Sequence, residues 1–378
     1  MTRRIDVIAG ARPNFMKIAP IMRAFAAHLE RQEAAAGSSA GGSALRLVPR
    51  LVHTGQHYDR RMSADFFEQL GIPEPEVNLE CGSGTQAEQT AAIMTRYERL
   101  LAEAPAAACV VVGDVTSTMA CAIVARKMGV PVAHVEAGIR SGDWSMPEEI
   151  NRVVTDSITN WYFTTSEVAN ANLRKSGAAE SSIFFVGNTM IDTLLANLGR
   201  LREPQFWTSA RLEPGKYLVL TLHRPANVDD PASLRRLLDT IVANARGRTI
   251  VFPVHPRTAK SVAAIGGAPE GMLLVEPQPY LEFIHLVKHS AGVITDSGGI
   301  TEETTVMAVP CMTLRDSTER PETVTMGTNE LIGTDPAAIP PAMGRLMDGK
   351  WKSGAIPPLW DGRTGERIVA HLISLLAT

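Results

Sequence analysis

The feature that most restricts how this chain can fold is a rhythm. Short, wholly apolar β-rich runs alternate with longer segments of helical periodicity. In the first half the runs are Ile5–Ala9, Leu47–His53, Cys109–Gly113, Val130–Val135, Trp161–Thr164 and Ile183–Val186. In the second half they are Tyr217–Leu222, Ile250–Val254, Met272–Val275, Gly292–Thr295, Cys311–Leu314 and Glu330–Ile332. A strand with one face in water alternates apolar and polar residues, whereas a strand covered on both faces does not. Continuous apolar runs between helices therefore predict parallel sheets with helices on both sides. The pattern occurs twice, so the expected fold class is α/β with two doubly wound Rossmann-like domains.

Length agrees, because 378 residues leave room for two or three domains at about 150 residues each. The first domain is expected over 1–187 and the second over 188–360, with the break falling between 187 and 212. Asn188–Arg202 has a helical pattern, and EPQFWTSARLEPG (203–215) carries the Pro and Gly of a linker. The tail, 361–378, contains an apolar-periodic helix from Gly365 to Ala377 that is expected to pack back on the first domain. AAAGSSAGGSA (34–44) is low-complexity and reads as a surface loop.

Composition narrows the function. The net charge of −3 argues against a nucleic-acid binder, which would carry a basic stripe, so an anionic ligand must be met by local cations. Cys81, Cys109, Cys121 and Cys311 form no C-x-x-C pair, which fits a reduced compartment better than a disulfide framework or a zinc site. MTRRIDVIAG runs straight into a strand without the apolar core of a signal peptide. No stretch approaches about 20 uninterrupted apolar residues, so no membrane partner is expected and the location is read as cytoplasmic.

Ligands of open α/β sheets bind beyond the carboxyl ends of the strands. With two such domains, the cleft between them is the expected site. The first strand ends in GARPNFMKIAP (10–20), where Arg12 and Lys17 sit at the positive end of a helix and suit an anion between them. This is not G-x-G-x-x-G, so a nicotinamide-type dinucleotide is disfavoured. An exposed basic turn is the plainer reading.

VVVGDVTSTMA (110–120) places Asp114 after a buried strand, where it could equally be a helix N-cap. The neighbouring end, HVEAGIRSGDWSMPEEINR (134–152), adds Glu136, Arg140, Asp143, Glu148, Glu149 and Arg152. Several carboxylates at one sheet edge are costly unless they are paired or working as acid and base. Pro147-Glu148-Glu149 also fits a well-charged helix start. Function is favoured for Glu136 and Glu148.

In the second half, TLHRPANVDD (221–230) ends a strand with His223 and Arg224, and FPVHPRT (252–258) repeats the theme with His255 and Arg257. EPQPYLEF (276–283) brings Gln278 and Phe283. TDSGGITEE (295–303) has the form of a phosphate-holding turn at a helix start, through Ser297, Gly298 and Gly299. Glu302 and Glu303 stand within a turn of that spot, and Glu302 reads as a first-turn charge. RDSTERPE (315–322) brings Arg320. His285 and His289, with Glu282 a turn earlier, have metal-like spacing without H-E-x-x-H, and core or surface histidines are the better reading.

Taken together, the chain resembles the non-hydrolysing UDP-N-acetylglucosamine 2-epimerases. The resemblance is carried, in order, by GARPNFMKIAP, TGQHYD (54–59), GDVTSTMA, HVEAGIRSGD, PEEINR, VGNTMIDTL (186–194), HRPANVDD, TDSGGITEE and TERPE. It implies the GT-B-type two-domain arrangement shared with nucleotide-sugar glycosyltransferases, with the active site in the interdomain cleft, and a homodimer. It implies an isomerase in which Asp114, Glu136, Glu148 and His223 are catalytic. Arg12, Lys17, Gln278, Phe283, Ser297, Gly298, Gly299, Glu303 and Arg320 would bind the UDP-sugar. Gln56 and His57 match a segment that helps bind a second, activating UDP-N-acetylglucosamine in some members.

The implied reaction breaks the C1–O bond to UDP, acidifies the C2 hydrogen, and passes through a 2-acetamidoglucal. It needs acid–base groups on both faces of C2, donors for the departing diphosphate, and domain closure, and it calls for no cofactor or metal. Relatives with similar motifs act on UDP-sugars modified at C3 or C6, such as a 2,3-diacetamido uronic acid, and hydrolysing relatives release N-acetylmannosamine. A glycosyltransferase and a silent UDP-sugar-binding regulator are the rival classes. The carboxylate-rich first domain argues against the former and the intact catalytic set against the latter.

Overall fold

The computed structural model describes residues 2–36, 45–55 and 69–377. The chain divides into two compact units, Met1–Leu195 with Pro358–Thr378, and Ala196–Pro357. The first holds a parallel sheet of β1 (Thr2–Ala9), β2 (Arg46–His53), β3 (Val77–Asn78), β4 (Ala108–Val112), β5 (Val132–Val135), β6 (Trp161–Thr164) and β7 (Ile183–Phe185). Its strand order is β3-β2-β1-β4-β5-β6-β7. The second unit holds β8 (Tyr217–Thr221), β9 (Thr249–Pro253), β10 (Met272–Val275), β11 (Gly292–Thr295), β12 (Cys311–Thr313) and β13 (Asn329–Leu331), in the order β10-β9-β8-β11-β12-β13.

Both sheets are therefore doubly wound, and each has a topological switch point, β1/β4 in the first and β8/β11 in the second. β4 is buried at all five positions and β11 at all four, the burial that a wholly apolar run requires. The expected strands are present, and one more is found. β3 escaped because two residues at a sheet edge, Val77 and Asn78, carry no periodic signal.

The boundary between units lies at Leu195/Ala196, beyond residue 187, and the reason is local. Helix Thr189–Asn197 is fastened to the first unit, where Thr193 Oγ1 donates to Met16 O at 2.5 Å and Asp192 Oδ2 accepts from Gly365 N at 2.8 Å. That second bond caps the terminal helix Thr364–Ala377, which buries Ile368, Val369, Leu372 and Leu376. A Cβ on Gly365 would stand 2.5 Å from Pro20 O, so only glycine admits this approach to helix Arg12–Ala36.

The stretch read as a linker has a different role. Trp207 and Leu212 are buried in the second unit's core, and Trp207 meets Tyr217 edge-on at 5.6 Å. Pro and Gly break the secondary structure there, but the apolar residues between them still gain from burial. Among the described residues no helix is long and apolar enough to cross a membrane.

Candidate active site

At the first switch point the turn after β1 is held by Asn14. Its Oδ1 accepts from Gly10 N and Ala11 N, each at 3.2 Å, and its Nδ2 donates to Val112 O at 3.0 Å. The β1 turn is thereby tied to the end of β4. A Cβ on Gly10 would come within 1.9 Å of Ser117 Oγ, so this close packing needs glycine. Arg12 opens helix Arg12–Ala36, and its side chain lies outside the described residues.

One turn on, Lys17 pairs with Glu136 Oε2, a contact in which the carboxylate side chain is only 3% exposed. Glu136 follows β5 with φ of +69°, a left-handed backbone that disfavours a side chain, and its N–H is held by Phe163 O at 3.0 Å. Strain of this kind, about 1–3 kcal/mol, persists where the surroundings over-determine it, and it clusters at functional sites. The Cβ position of Gly113 lies 3.2 Å from Lys17 Nζ and 3.4 Å from Glu136 Oε2. The ion pair thus abuts the residue immediately before Asp114.

Asp114 keeps 26% of its side chain exposed and accepts from Arg152 Nη2 at 2.5 Å. Asn151 Nδ2 donates to its main-chain oxygen at 2.8 Å. The two glutamates of Pro-Glu-Glu part company here. Glu149 is buried and accepts from Ser141 N at 2.9 Å, Ser141 Oγ at 3.0 Å, Gly142 N at 3.1 Å and Arg152 Nη1 at 2.8 Å. Burial alone would raise its carboxyl, but the bonds from Ser141, Arg152 and Gly142 prevail and hold it below the usual range.

Glu149 is therefore a structural tie for the 141–142 turn. Glu148 is half-buried at the helix start and joins no ion pair among the described residues. Asp143 accepts from Ser145 N and Oγ in an exposed turn, and its N–H donates to Ser141 Oγ at 3.2 Å. Arg140 pairs with Asp156 at 2.6 Å.

At the second switch point the organising residue is Asp296, which sequence reasoning passed over. Its side chain is fully buried and accepts from His223 N at 3.0 Å, Arg224 N at 2.9 Å and Asn227 Nδ2 at 3.1 Å. His223 Nδ1 lies 2.8 Å from its Oδ1. Burial pushes the Asp296 carboxyl up, and the His223 contacts and the Arg224 and Asn227 bonds bring it net below its ordinary value. A carboxylate on Nδ1 sets the ring's tautomer and orientation, leaving Nε2 of the half-exposed His223 for a ligand. An Asp directly after an apolar strand, in TDSGG, was the available signal.

The backbone itself does not require glycine at Gly298 or Gly299. Gly298 has φ of −72°, and no atom lies within 4 Å of a Cβ on Gly299. The open space stands at the N-terminus of helix Gly299–Val306, where N–H groups and the helix dipole favour an anion. A Cβ on Gly298 would be 3.5 Å from Glu319 Oε2 and 3.6 Å from Arg315 Nη1. Arg315 binds Glu319 through two bonds of 2.8 Å, and Arg224 Nη2 reaches the same carboxylate at 3.5 Å. Two cations, Arg224 and Arg315, thus gather beside the cradle, of which Arg315 was not singled out from sequence.

Glu302 lies in the first turn of helix Gly299–Val306, as read from the sequence, and it is buried there. It is 1% exposed and pairs with Arg320 Nε at 2.8 Å, the partner being 7% exposed. A buried carboxylate demands a cation, and Arg320 supplies it. Glu303 is buried too, and Tyr280 OH donates to its Oε1 at 3.0 Å. Burial pushes its carboxyl up to about 8, the Tyr280 bond opposing and the nearby Glu302 adding.

Gln278 donates to Glu276 O at 2.7 Å and lines a cavity of about 470 Å³ with Phe206, Val275 and Glu282. Phe283 packs half-buried on the core around Trp207 and Ile300. His255 is exposed, and the Arg257 side chain lies outside the described residues, as do Gln56 and His57. His285 and His289 gather at the edge of Trp207, with ring centroids 4.9 and 6.3 Å away.

Known proteins match this chain along most of its length. The sequence pattern of the family described as UDP-N-acetylglucosamine 2-epimerase covers residues 43–373. The UDP-N-acetylglucosamine 2-epimerase of Methanocaldococcus jannaschii is 38% identical over 382 residues, 98% of each chain. A Pseudomonas aeruginosa UDP-2,3-diacetamido-2,3-dideoxy-D-glucuronate 2-epimerase is 37% identical over 333 residues, 87% of this chain and 88% of that one. The crystal structure of the M. jannaschii enzyme in complex with UDP-GlcNAc and UDP superposes with a TM-score of 0.82 at 38% identity, covering 98% of this chain and 99% of that one. With the motifs in register and both sheets doubly wound, the chain belongs to the UDP-N-acetylglucosamine 2-epimerase family, which are isomerases.

Proposed function

We propose that the protein interconverts UDP-N-acetylglucosamine and UDP-N-acetylmannosamine by elimination and re-addition of UDP. The observation that carries this reading is the juxtaposition of Lys17, Glu136 and Gly113–Asp114 at the first switch point. An unactivated C2 hydrogen becomes acidic only as the C1–O bond breaks. A carboxylate then takes the C2 proton, the C–H pair becomes the C1=C2 bond, and UDP departs with the C1–O pair. Protonation from the opposite face and return of UDP complete the inversion, so two carboxylates with different surroundings are needed.

Glu136, paired with Lys17, and Asp114, paired with Arg152, are the candidates for the two C2 steps, with Glu148 beside them as partner or acid. In the second unit, Ser297, Gly298 and Gly299 would cradle the diphosphate, with Arg224 and Arg315 opposing its charge. His223, oriented by Asp296, serves the leaving oxygen, while Glu303 takes the ribose and Phe283 flanks the base. Arg320 supports Glu303 through its pairing with Glu302. Lys17 and Arg12 would complete the ligand shell. The protein is further proposed to act in the cytoplasm as a homodimer, supplying polysaccharide precursors, and to retain the glycal rather than hydrolyse it.

The P. aeruginosa relative supports a second reading, epimerisation of a UDP-2,3-diacetamido uronic acid. Incubation with UDP-N-acetylglucosamine in D2O decides by NMR. Deuterium at C2 in a mixture of both epimers is expected. Unlabelled substrate with no UDP released would reject this substrate, and the same experiment on the diacetamido uronate tests the alternative.

A further inference from the structure

Beneath the carboxylates of the first unit lies a pair that the reaction scheme does not use directly. His134 in β5 and Asp156 in helix Pro147–Ile158 are both buried. His134 Nδ1 is 2.7 Å from Asp156 Oδ1, and its Nε2 is 2.8 Å from Gly113 O. A carbonyl oxygen only accepts. Asp156 Oδ2 already receives Gly138 N at 3.0 Å and Arg140 Nη1 at 2.6 Å, so this side chain accepts as well. A neutral imidazole has one donor and one acceptor, and here both ring nitrogens face acceptors. The ring thus bridges the Asp156 carboxylate and the Gly113 peptide oxygen.

What the pair touches gives it meaning. Gly113 precedes Asp114, and its N–H is held in turn by Val135 O at 3.0 Å. Gly138 follows Glu136 by two residues and has φ of +79°, and a Cβ there would meet Ala169 O at 2.4 Å. Helix Pro147–Ile158 carries Glu148 in its first turn. One hydrogen-bonded unit therefore grips all three segments that bear candidate catalytic carboxylates. A pair needed only for folding would have no reason to meet each of them.

We propose that His134 and Asp156 are positioning residues that set the spacing of Asp114 and Glu136 by clamping Gly113 and Gly138 to helix Pro147–Ile158. The inference rests on the catalytic reading of those two carboxylates. Loss of the clamp shifts the reacting groups by a fraction of an ångström, and a misplacement near 1 Å costs about 10²-fold in rate.

The test compares the full-length parent with His134→Asn and with the shape-preserving Asp156→Asn. Expected for His134→Asn are a kcat lowered about 10- to 100-fold, KM within about threefold, a proportional fall in C2 deuterium exchange, and unchanged UDP affinity. Asp156→Asn should show the same split, a lowered kcat with KM and UDP affinity near the parent's. A folded His134→Asn with parental kcat overturns the proposal. Should His134→Asn fail to fold, Asp156→Asn decides alone, and parental kcat there overturns it. A parent that itself exchanges no C2 hydrogen on either UDP-sugar would instead reject the catalytic reading, an outcome distinct from parental kcat in the variants.

Discussion

Glu303→Gln probes whether the buried glutamate of helix Gly299–Val306 stores a proton. The Glu303 carboxyl sits at about 8 against an ordinary 4.5, because burial and Glu302 disfavour its charge. Between those two values the folded protein holds a proton that the unfolded chain has released. Stability from this group is therefore full below the ordinary value and falls as pH rises, by at most about 1.4 kcal/mol per unit. Summed over the interval the loss reaches about 5 kcal/mol, an upper limit because relaxation and water entry reduce it. Gln keeps the shape and the acceptor for Tyr280 but cannot titrate.

Urea unfolding of parent and variant in parallel from pH 5 to 8.5 isolates the effect, because other groups cancel in the difference. The variant should gain on the parent steadily as pH rises and level off above 8. Ligand binding should show the same proton. If ribose hydroxyls donate to the charged carboxylate, UDP binding at pH 7 expels up to about one proton, readable by calorimetry in buffers of different ionisation enthalpy. A stability difference independent of pH, with no proton released by the parent, would refute the reasoning.

Glu136→Gln should lower C2 deuterium exchange by about 10²–10⁴-fold, the contribution of a positioned acid–base group, with UDP affinity retained. A variant that exchanges as fast as the parent removes Glu136 from the mechanism. Leu372→Ala, at a fully buried position of the terminal helix, should cost about 2–5 kcal/mol of stability by denaturant unfolding, and a loss under 0.5 would mean the helix is not docked as described.

Much of the architecture was legible in residue order alone. A strand buried on both faces must be apolar throughout, so β4 and β11 announce themselves as Cys109–Gly113 and Gly292–Thr295, and helices between them force parallel pairing. The strand ends then point to the switch points, which is how Asp114, Glu136, His223 and Ser297–Gly299 could be chosen. β3 was invisible because two residues carry no period, and Trp207 was lost inside a Pro- and Gly-bearing stretch whose packing partner lies elsewhere in the chain.

Local sequence also cannot rank identical neighbours. Glu148 and Glu149 look alike in Pro-Glu-Glu, yet only Glu149 is turned onto Ser141, Gly142 and Arg152. Glu302 and Glu303 look alike in the cradle helix, yet one is neutralised by Arg320 and the other is left with Tyr280 and a raised carboxyl. Sequence by itself determined the pair of doubly wound sheets and the family chemistry at their edges, because periodicity and strand ends are properties of consecutive residues. Only the tertiary structure decided which carboxylate is paired, which is strained and which keeps its proton. The pairings are set by Arg152, Lys17 and Arg320, brought in from distant positions, and the retained proton by the water that packing removes.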